Sequence, residues 1–435
     1  MKAAVGIIGG GPSGLLLAQL LSRADIASVI LERQSQAHVE SRIRAGVLEQ
    51  GMQDLLIRAG VGERMQAEGL PHSGVCLAFG EDLLRFDLAG LTGGRQVMVY
   101  GQTELTRDLY HAVLSNPQVT VVFEAEEVTP SHYLDEDRTR SAQEGLARIR
   151  FRDSRGAHEL RCDYIAGCDG FHGVSRSSVP RRMITEFERV YPFGWLGLLS
   201  DTPPLQHELV YVSQNEGFAL CSMRSHTRSR YYLQVERDER LERWSDQRFW
   251  DVLASRLPAG LAGRLITGPS IEKSIAPLRS FVAEPLRLGR LFLVGDAGHI
   301  VPPTGAKGLN LAASDIHYLS SALIAHYHDG RDDLLDLYSE AALARVWGAV
   351  RFSWWFTRIT HHFGDDPLER RLQQAELHGL LRSQAAQAAF AEQYVGMPFD
   401  PRFTTTAHGQ MPNVQDKTGR KEWQPGLAVA ALELP

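Results

Sequence analysis

The chain has few of the residues that mark a secreted, metal-binding or membrane protein. Its four cysteines, Cys76, Cys162, Cys168 and Cys221, are scattered through 435 residues. Cys162 and Cys168 lack metal-ligand spacing, and no histidine pair completes a site. Buried reduced thiols in a cytoplasmic protein are expected, with no metal centre. No run reaches eighteen apolar residues, so no membrane span is expected. The N-terminus enters an apolar strand at once, without the basic start, apolar stretch and cleavage site of a leader. Positive charge is not in excess: 46 Lys and Arg against 52 Asp and Glu give a formal net charge of -6. That leaves no basic footprint for nucleic acid. Internal repeats and low-complexity blocks are also missing. What remains is a soluble chain too long for one hydrophobic core, so two or three lobes are expected.

The start of the chain carries the first chemical signal. Residues 3–8 (AAVGII) are a short apolar run, followed by Gly9-Gly10-Gly11-Pro12-Ser13-Gly14. Residues from Leu15 to Arg23 then repeat apolar positions with helical spacing, and residues 28–31 (SVIL) end at Glu32. This is strand, turn, helix, strand, the setting in which Gly-x-Gly-x-x-Gly binds a dinucleotide. Gly9, Gly11 and Gly14 let backbone approach a pyrophosphate at a helix N-terminus, Ser13 lies in that first turn, and Glu32 faces ribose hydroxyls. A third strand at 119–124 fits the same sheet. Residues 147–152 and 158–166 alternate like paired strands, with a polar loop at 131–145 before them. Residues 207–212, 217–223 and 229–235 predict an antiparallel sheet. From Leu309 to about Trp355 the pattern is mostly helical, and beyond Tyr394 the chain turns to Pro, Gly, Gln and Thr.

Glycine turns of this kind do not separate FAD from NAD. Two further segments do. Residues 163–170 (DYIAGCDG) are an apolar strand closing on Asp169-Gly170. Residues 290–297 (RLFLVGDA) end a buried strand at Asp296, whose carboxylate suits a ribityl hydroxyl, since ligands of open α/β sheets sit at strand C-termini. Pro302-Pro303-Thr304-Gly305 then leads into a helix whose positive end suits a reduced, anionic flavin ring. Three such segments in this order point to FAD.

These segments, with RIRAGVLEQGM (42–52), VYGQTELTRDL (99–109), DYIAGCDGFHG (163–173), RVYPFGWLGLL (189–199), EKSIAPLRSF (272–281) and HIVPPTGAKGLNLAASD (299–315), resemble the group A flavoprotein aromatic hydroxylases from Gly6 to about Gly396. The resemblance implies an α/β fold. A Rossmann-like FAD domain is expected over 1–180, with part of the substrate sheet inserted near 72–100. An antiparallel substrate sheet over 181–285, a second FAD motif with a helical interface region over 286–395, and a tail over 396–435 complete it. It implies hydroxylation of a phenolic ring acid, 4-hydroxybenzoate, with O2, NAD(P)H as co-substrate and a homodimer as the assembly. A slower sister activity on 4-aminobenzoate, or a non-catalytic binding protein on the same fold, are the rival readings.

Carried over by resemblance, Ser222 and Arg224 hold the substrate carboxylate with Tyr232 beside them. Tyr211 bonds the substrate phenol, Tyr394 is its partner, and His72 is the outer end of a proton path. Pro303, Thr304 and Asn310 line the flavin and the reacting ring, next to Leu309. Arg44, Gln102, Asp169, Asp296 and Glu32 match FAD contacts, and Arg230 supports the flavin. His172 and Arg279 match positions of nicotinamide cofactor use. Arg33, Arg42 and Arg44 suit a 2′-phosphate and Glu40 opposes it, so NADPH is preferred with appreciable NADH use. His38 and Glu40 depart from the family pattern. So does Gly298, where the family carries alanine, and a looser helix entry is expected there.

Overall fold

The computed structural model describes residues 1–41, 46–134, 146–364 and 366–403. Arg42 and Arg44, most of the 131–145 loop and the tail beyond 403 therefore lie outside the described residues.

The fold is mixed α/β and rests on two large sheets. In the first, strands run in the order Arg287–Leu288, Leu291–Leu293, Gly156–Gly167, Lys2–Ile8, Ser28–Leu31 and Val119–Val122. From Leu291–Leu293 to Val119–Val122 every pairing is parallel. The inner strands are buried on both faces, which is why they read as unbroken apolar runs rather than as alternation. The expected hairpin is present as Ala147–Asp153 paired antiparallel with Gly156–Gly167.

The second sheet has the order His299–Ile300, Ser270–Glu284, Thr185–Ser200, Arg228–Glu236, Gly217–Ser225, Val210–Gln214, Gly74–Phe79, Asp82–Asp87. It is antiparallel except where Val210–Gln214 meets Gly74–Phe79. The two long strands 185–200 and 270–284 were not evident from alternation, because each carries a proline and a bulge in mid-course. One face of this sheet packs on the helix Asp246–Arg256 through Phe249, Trp250 and Tyr231. The other packs on the C-terminal helices through Trp195, Tyr211, Phe218, Phe352, Phe356 and Phe390. The helices Gly308–Asp329 and Asp333–Thr360 match the expected helical stretch, and Pro367–Arg382 and Gln384–Val395 extend it. Among the described residues no helix is long and apolar enough to cross a membrane.

Gly298 corrects one expectation. A Cβ there would stand 2.5 Å from Leu286 Cδ2, so the glycine makes room for that leucine rather than loosening the helix entry.

The glycine turn shows three different demands. Gly9 has φ +107°, a left-handed conformation, and a Cβ on it would lie 2.4 Å from the Cys168 carbonyl oxygen. Gly14 lets the helix Pro12–Ser22 sit on the strand, because its Cβ would be 2.0 Å from the Gly9 carbonyl oxygen. A Cβ on Gly11 meets nothing within 4 Å, so that face is open space in front of the helix. Gly14→Ala is therefore expected to destabilise the apoprotein by about 1–3 kcal/mol, the usual cost of overpacking. Gly11→Ala should leave its thermal unfolding within about 0.5 kcal/mol of the parent. Equal losses in the two variants would refute this division.

The sheets are joined at a buried pair. Asp315 Oδ2, on the helix Gly308–Asp329, accepts from Gly295 N at 2.8 Å and faces His299 Nε2 at 2.7 Å. Burial disfavours the imidazolium, but the adjacent Asp315 carboxylate outweighs it and the His299 pKa is raised. A raised folded pKa contributes stability fully present below the unfolded value, about 6.5, and lost as pH rises through the folded value. The gap in Tm between the parent and Asp315→Asn should be widest below about pH 6.5 and should narrow above it, by thermal unfolding across pH. A gap that widens with pH would contradict the sign.

Candidate active site

Neighbouring strands of the first sheet deliver the nucleotide-facing groups. In sheet order, Asp296 follows Leu291–Leu293, Asp169 follows Gly156–Gly167, the glycine turn follows Lys2–Ile8, and Glu32 follows Ser28–Leu31. All four lie at C-terminal strand ends, the position at which such sheets hold ligands. The helix beginning at Pro12 has Gly11 as N-cap with no side-chain cap, so its first N–H groups meet no side-chain acceptor. Glu32 has a second task the sequence did not reveal: it accepts from Gly10 N and from Gln34 N, each at 2.7 Å. It thus braces the turn, and each oxygen keeps a further lone pair. Asp169 Oδ2 accepts from Ser175 N at 2.8 Å and Ser175 Oγ at 3.0 Å. Its Oδ1 is buried with no partner among the described residues, and burial raises its pKa. An orphaned carboxylate oxygen at the strand end next to the one that carries the glycine turn fits a hydroxyl-rich nucleotide. Gln102 opens the helix Gln102–Leu114, and Leu309 lies in the first turn of Gly308–Asp329, both half-buried.

The turn 303–310 is held from below. Pro303 is exposed, while Thr304 is buried and bonds Thr357 Oγ1 at 2.8 Å. Asn310, read from resemblance as ring-lining, spends its amide on backbone. Its Oδ1 accepts from Glu49 N at 2.9 Å, and its Nδ2 donates to Val47 O at 2.9 Å and Ala306 O at 2.7 Å. Its side chain therefore fixes the turn against the strand Val47–Leu48. Three residues that sequence reasoning missed surround this turn. Lys307 Nζ donates to Glu49 Oε1 at 2.6 Å and to the Tyr394 carbonyl at 3.1 Å, and Arg345 Nη2 donates to Glu49 Oε2 at 2.9 Å. Burial lowers the Lys307 pKa, and the Glu49 carboxylate opposes that shift. The only signal in the sequence was a lysine inside the otherwise small and apolar run PPTGAKGLN.

The second sheet brings Tyr211, Ser222 and Tyr232 to one face. Tyr211 pairs across strands with Leu220, Leu220 with Tyr232, and Ser222 with Arg230, while Arg224 lies at a bulge between Met223 and Ser225. Cross-strand partners and i, i+2 neighbours in regular register share a face. Tyr211 Oη and Tyr394 Oη lie 3.0 Å apart, both buried, under the rings of Phe356 and Phe390. Burial pushes both phenols above their ordinary pKa. Arg224 Nη1 is enclosed and has no partner among the described residues. Desolvation lowers its pKa, with Tyr232 beside it opposing. A buried guanidinium N–H without an acceptor is costly and calls for an anion. Arg230 differs: it is ion-paired with Glu272, bonds Ser274 Oγ at 3.3 Å and lies 5.3 Å from the Tyr232 ring centroid.

A wall behind Tyr232 also escaped the sequence. Trp195 Nε1 donates to His361 Nε2 at 2.7 Å, and the His361 ring stacks on Phe218 at 3.9 Å. Burial drives the His361 pKa down to about 3, so the ring stays neutral and can accept that bond. His72, at the end of the strand Leu70–His72, is 0% exposed, and neither ring nitrogen has a partner among the described residues. Burial first, then His207, pushes its pKa down to about 4, with Glu208 opposing. The tyrosine pair is thus made, whereas His72 stands unbonded beside it.

Two groups sit at the surface. Arg279 and Arg176 each lie 4.6 Å from the Phe171 ring centroid, and His172 meets that ring edge-on at 4.9 Å. Arg33 and His38 line one side of an open cleft whose other side carries Glu124, Glu126 and Glu127. Glu40 is held by Gln36, which donates to it at 2.7 Å.

Comparison with known proteins agrees with this geometry. Residues 2–353 match the family model described as FAD binding domain. The chain is 53% identical over 402 residues to p-hydroxybenzoate hydroxylase of Acinetobacter baylyi, covering 92% of this chain and 96% of that one. It is 28% identical to 6-hydroxy-3-succinoylpyridine 3-monooxygenase of Pseudomonas putida, covering 78% and 84% of the two chains. Among solved structures, p-nitrophenol 4-monooxygenase from Pseudomonas putida superposes with a TM-score of 0.76 at 19% identity, covering 91% of this chain and 99% of that one. Aklavinone-11 hydroxylase, solved with FAD and aklavinone, gives a TM-score of 0.68 at 19% identity, covering 82% and 69%. The chain belongs to the FAD binding domain family, among the flavin-dependent aromatic hydroxylases.

Proposed function

We propose that this flavin monooxygenase converts 4-hydroxybenzoate, O2, NAD(P)H and a proton to 3,4-dihydroxybenzoate, water and NAD(P)+. The observation that carries the reading is a pair of opposite demands: a guanidinium at Arg224 whose Nη1 has no partner among the described residues, and a buried phenol pair at Tyr211 and Tyr394. A para-substituted phenolic acid answers both. The relative at 53% identity bears the name of that activity.

Arg224, with Ser222 and Tyr232, receives the carboxylate, since a guanidinium fork bonds both oxygens of a planar anion. At the other end Tyr211 takes the substrate hydroxyl, and Tyr394 takes the proton onward toward His72. Both tyrosines are kept neutral by burial, so each can donate and accept at once, which a relay requires. Losing that proton pushes ring electron density to the carbon beside the oxygen, the position to be oxygenated. Phe356, Phe390 and the Trp195–His361 wall exclude water around the reacting ring. FAD, when bound along the glycine turn, Glu32, Asp169 and Asp296, supplies the oxygen chemistry with electrons from the nicotinamide. Lys307, Asn310 and Glu49 hold the turn that would lie against the flavin ring. A homodimer in the cytoplasm completes the reading. Leu368 and Leu372, one helical turn apart, are 65% and 50% exposed and supply an apolar face for a second copy.

Tyr211→Phe should bind 4-hydroxybenzoate nearly as the parent does but yield little product, with NAD(P)H consumed and H2O2 formed instead. Arg224→Lys should mainly weaken binding, by about 1.5–3 kcal/mol, the scale of a charged hydrogen bond. Substrate Kd and the product-to-NAD(P)H ratio separate the two roles. Equal loss of binding with coupling intact in both variants would reverse the assignment.

For the coenzyme, Arg33, Arg42 and Arg44 attract a 2′-phosphate through charge-assisted hydrogen bonds, while Glu40 and the Glu124, Glu126 and Glu127 carboxylates that line the same cleft as Arg33 weaken that attraction, each by less than about 1 kcal/mol in a solvated setting. NADPH is expected to keep the advantage, at less than about tenfold in kcat/KM over NADH, which is about 1.4 kcal/mol. Glu126→Gln should enlarge that advantage. An NADH preference, or no response to Glu126→Gln, would count against this cleft.

A further inference from the structure

The proton path proposed above stops at a residue that cannot reach water. His72 is wholly buried, yet a proton leaving the substrate must enter solvent. The nearest imidazole is His207, which is exposed, and the two ring centroids lie 5.5 Å apart at an interplanar angle of 45°. This neighbourhood is a consequence of strand register. The parallel strands Val210–Gln214 and Gly74–Phe79 begin their pairing at Val210 and Cys76, with Cys76 N donating to Leu209 O at 2.9 Å. Three residues upstream on each strand stand His207 (210 − 3) and Ser73 (76 − 3), and His72 precedes Ser73. The segment that carries Tyr211 at the inner end of the path therefore also carries His207 at its outer end.

Glu208 sets the local charge. Its carboxylate takes two bonds from Arg85, at 2.7 and 2.8 Å, and one from Ser73 Oγ at 3.5 Å. Arg85 also lies 3.9 Å from Asp87. The titratable and charged groups around His72 and Glu208 are His207, Arg85, Asp87, Cys76 and, from the C-terminal helix, Tyr394. Glu208, anchored by Arg85, acts electrostatically on His72, Cys76 and Tyr394 alike. On His72 the neighbouring His207 adds to the lowering that burial causes, and Glu208 opposes it.

We infer that His207 is the surface group that exchanges protons between the buried His72 and solvent, with Glu208, fixed by Arg85, positioning the exchange. An exposed imidazole suits the task because its two ring nitrogens can accept a proton on one side and release one on the other. The inference rests on the proposed relay through Tyr211, Tyr394 and His72.

The test is a rapid pH jump on the FAD-loaded enzyme with 4-hydroxybenzoate bound, following the absorbance of the bound phenolate. His207→Gln removes an exposed ring and should leave folding and substrate Kd unchanged. It should slow the relaxation at least about tenfold, a threshold set below the roughly 10²–10⁴-fold typical of a positioned acid or base, without moving its end point. Free imidazole in the buffer should restore the rate. Tyr211→Phe and His72→Asn are slowed in the same assay, and imidazole does not restore them. His207→Asn goes through the same measurements should the glutamine variant lose FAD. If His207→Gln relaxes like the parent while Tyr211→Phe and His72→Asn are slow, the role of His207 is wrong and the inner relay stands. A slow His207→Gln that imidazole does not restore also overturns the inference, since it marks a packing effect. If Tyr211→Phe relaxes like the parent, the relay itself fails and this inference fails with it.

Discussion

The carboxylate of Glu49 is where three distant parts of the chain are held in register. Lys307 and Arg345 converge on it, 258 and 296 residues away in sequence, and Lys307 also reaches the Tyr394 carbonyl. A Cβ on Gly396 would come 2.1 Å from Glu49 Oε2, so the chain just beyond Tyr394 closes directly over the carboxylate. A buried ion cluster is poor evidence for stability, because desolvation offsets most of the attraction. Its value here is geometric. Breaking a member leaves a buried charge without compensation, which costs about 3–5 kcal/mol, so alternative positions of the 303–310 turn and the last helix are disfavoured. The Tyr211–Tyr394 pair and the turn facing the cofactor thus share one anchor.

Polarity is graded across the molecule around that anchor. At the nucleotide end, backbone N–H groups and strand-end carboxylates face open space, suited to a ligand rich in phosphate and hydroxyls. Around the aromatic cluster four titratable side chains are pushed toward their neutral forms: Tyr211 and Tyr394 upward, His72 and His361 downward. Desolvation is the first cause in each case. Desolvation also lowers the pKa of Arg224, whose Nη1 has no partner among the described residues.

Tyr211, Ser222 and Tyr232 occupy one face of one sheet, and this is an effect of register. A slip of one residue in Gly217–Ser225 would turn Ser222 away from Tyr211 and Tyr232. The register is set by the paired partners Leu220–Tyr232 and Ser222–Arg230. Arg230 in turn is immobilised by Glu272 and Ser274 from the long strand two places away. Its contribution is to the sheet that carries the site.

Reading the residues in order was enough for the βαβ start, the three strand-end carboxylate segments, the antiparallel run from 210 to 236 and the long helices after Gly308. Each depends on local periodicity, on glycines with a steric demand, or on a strand end, and all of these are properties of contiguous residues. The FAD-type fold and its nucleotide end were therefore determined by the sequence itself. The long strands 185–200 and 270–284 were not legible, since their prolines and bulges break the alternation that marks a strand. Nor were Glu49, Lys307, Arg345, His361 and His207, which read singly as solvated charges or surface histidines. Asn310 was legible as a site residue, but not as one whose amide is spent on Val47, Glu49 and Ala306. Only tertiary structure decided these, because burial and partner identity arise between segments hundreds of residues apart, and burial turns an ordinary lysine, tyrosine or histidine into a group with one permitted protonation state.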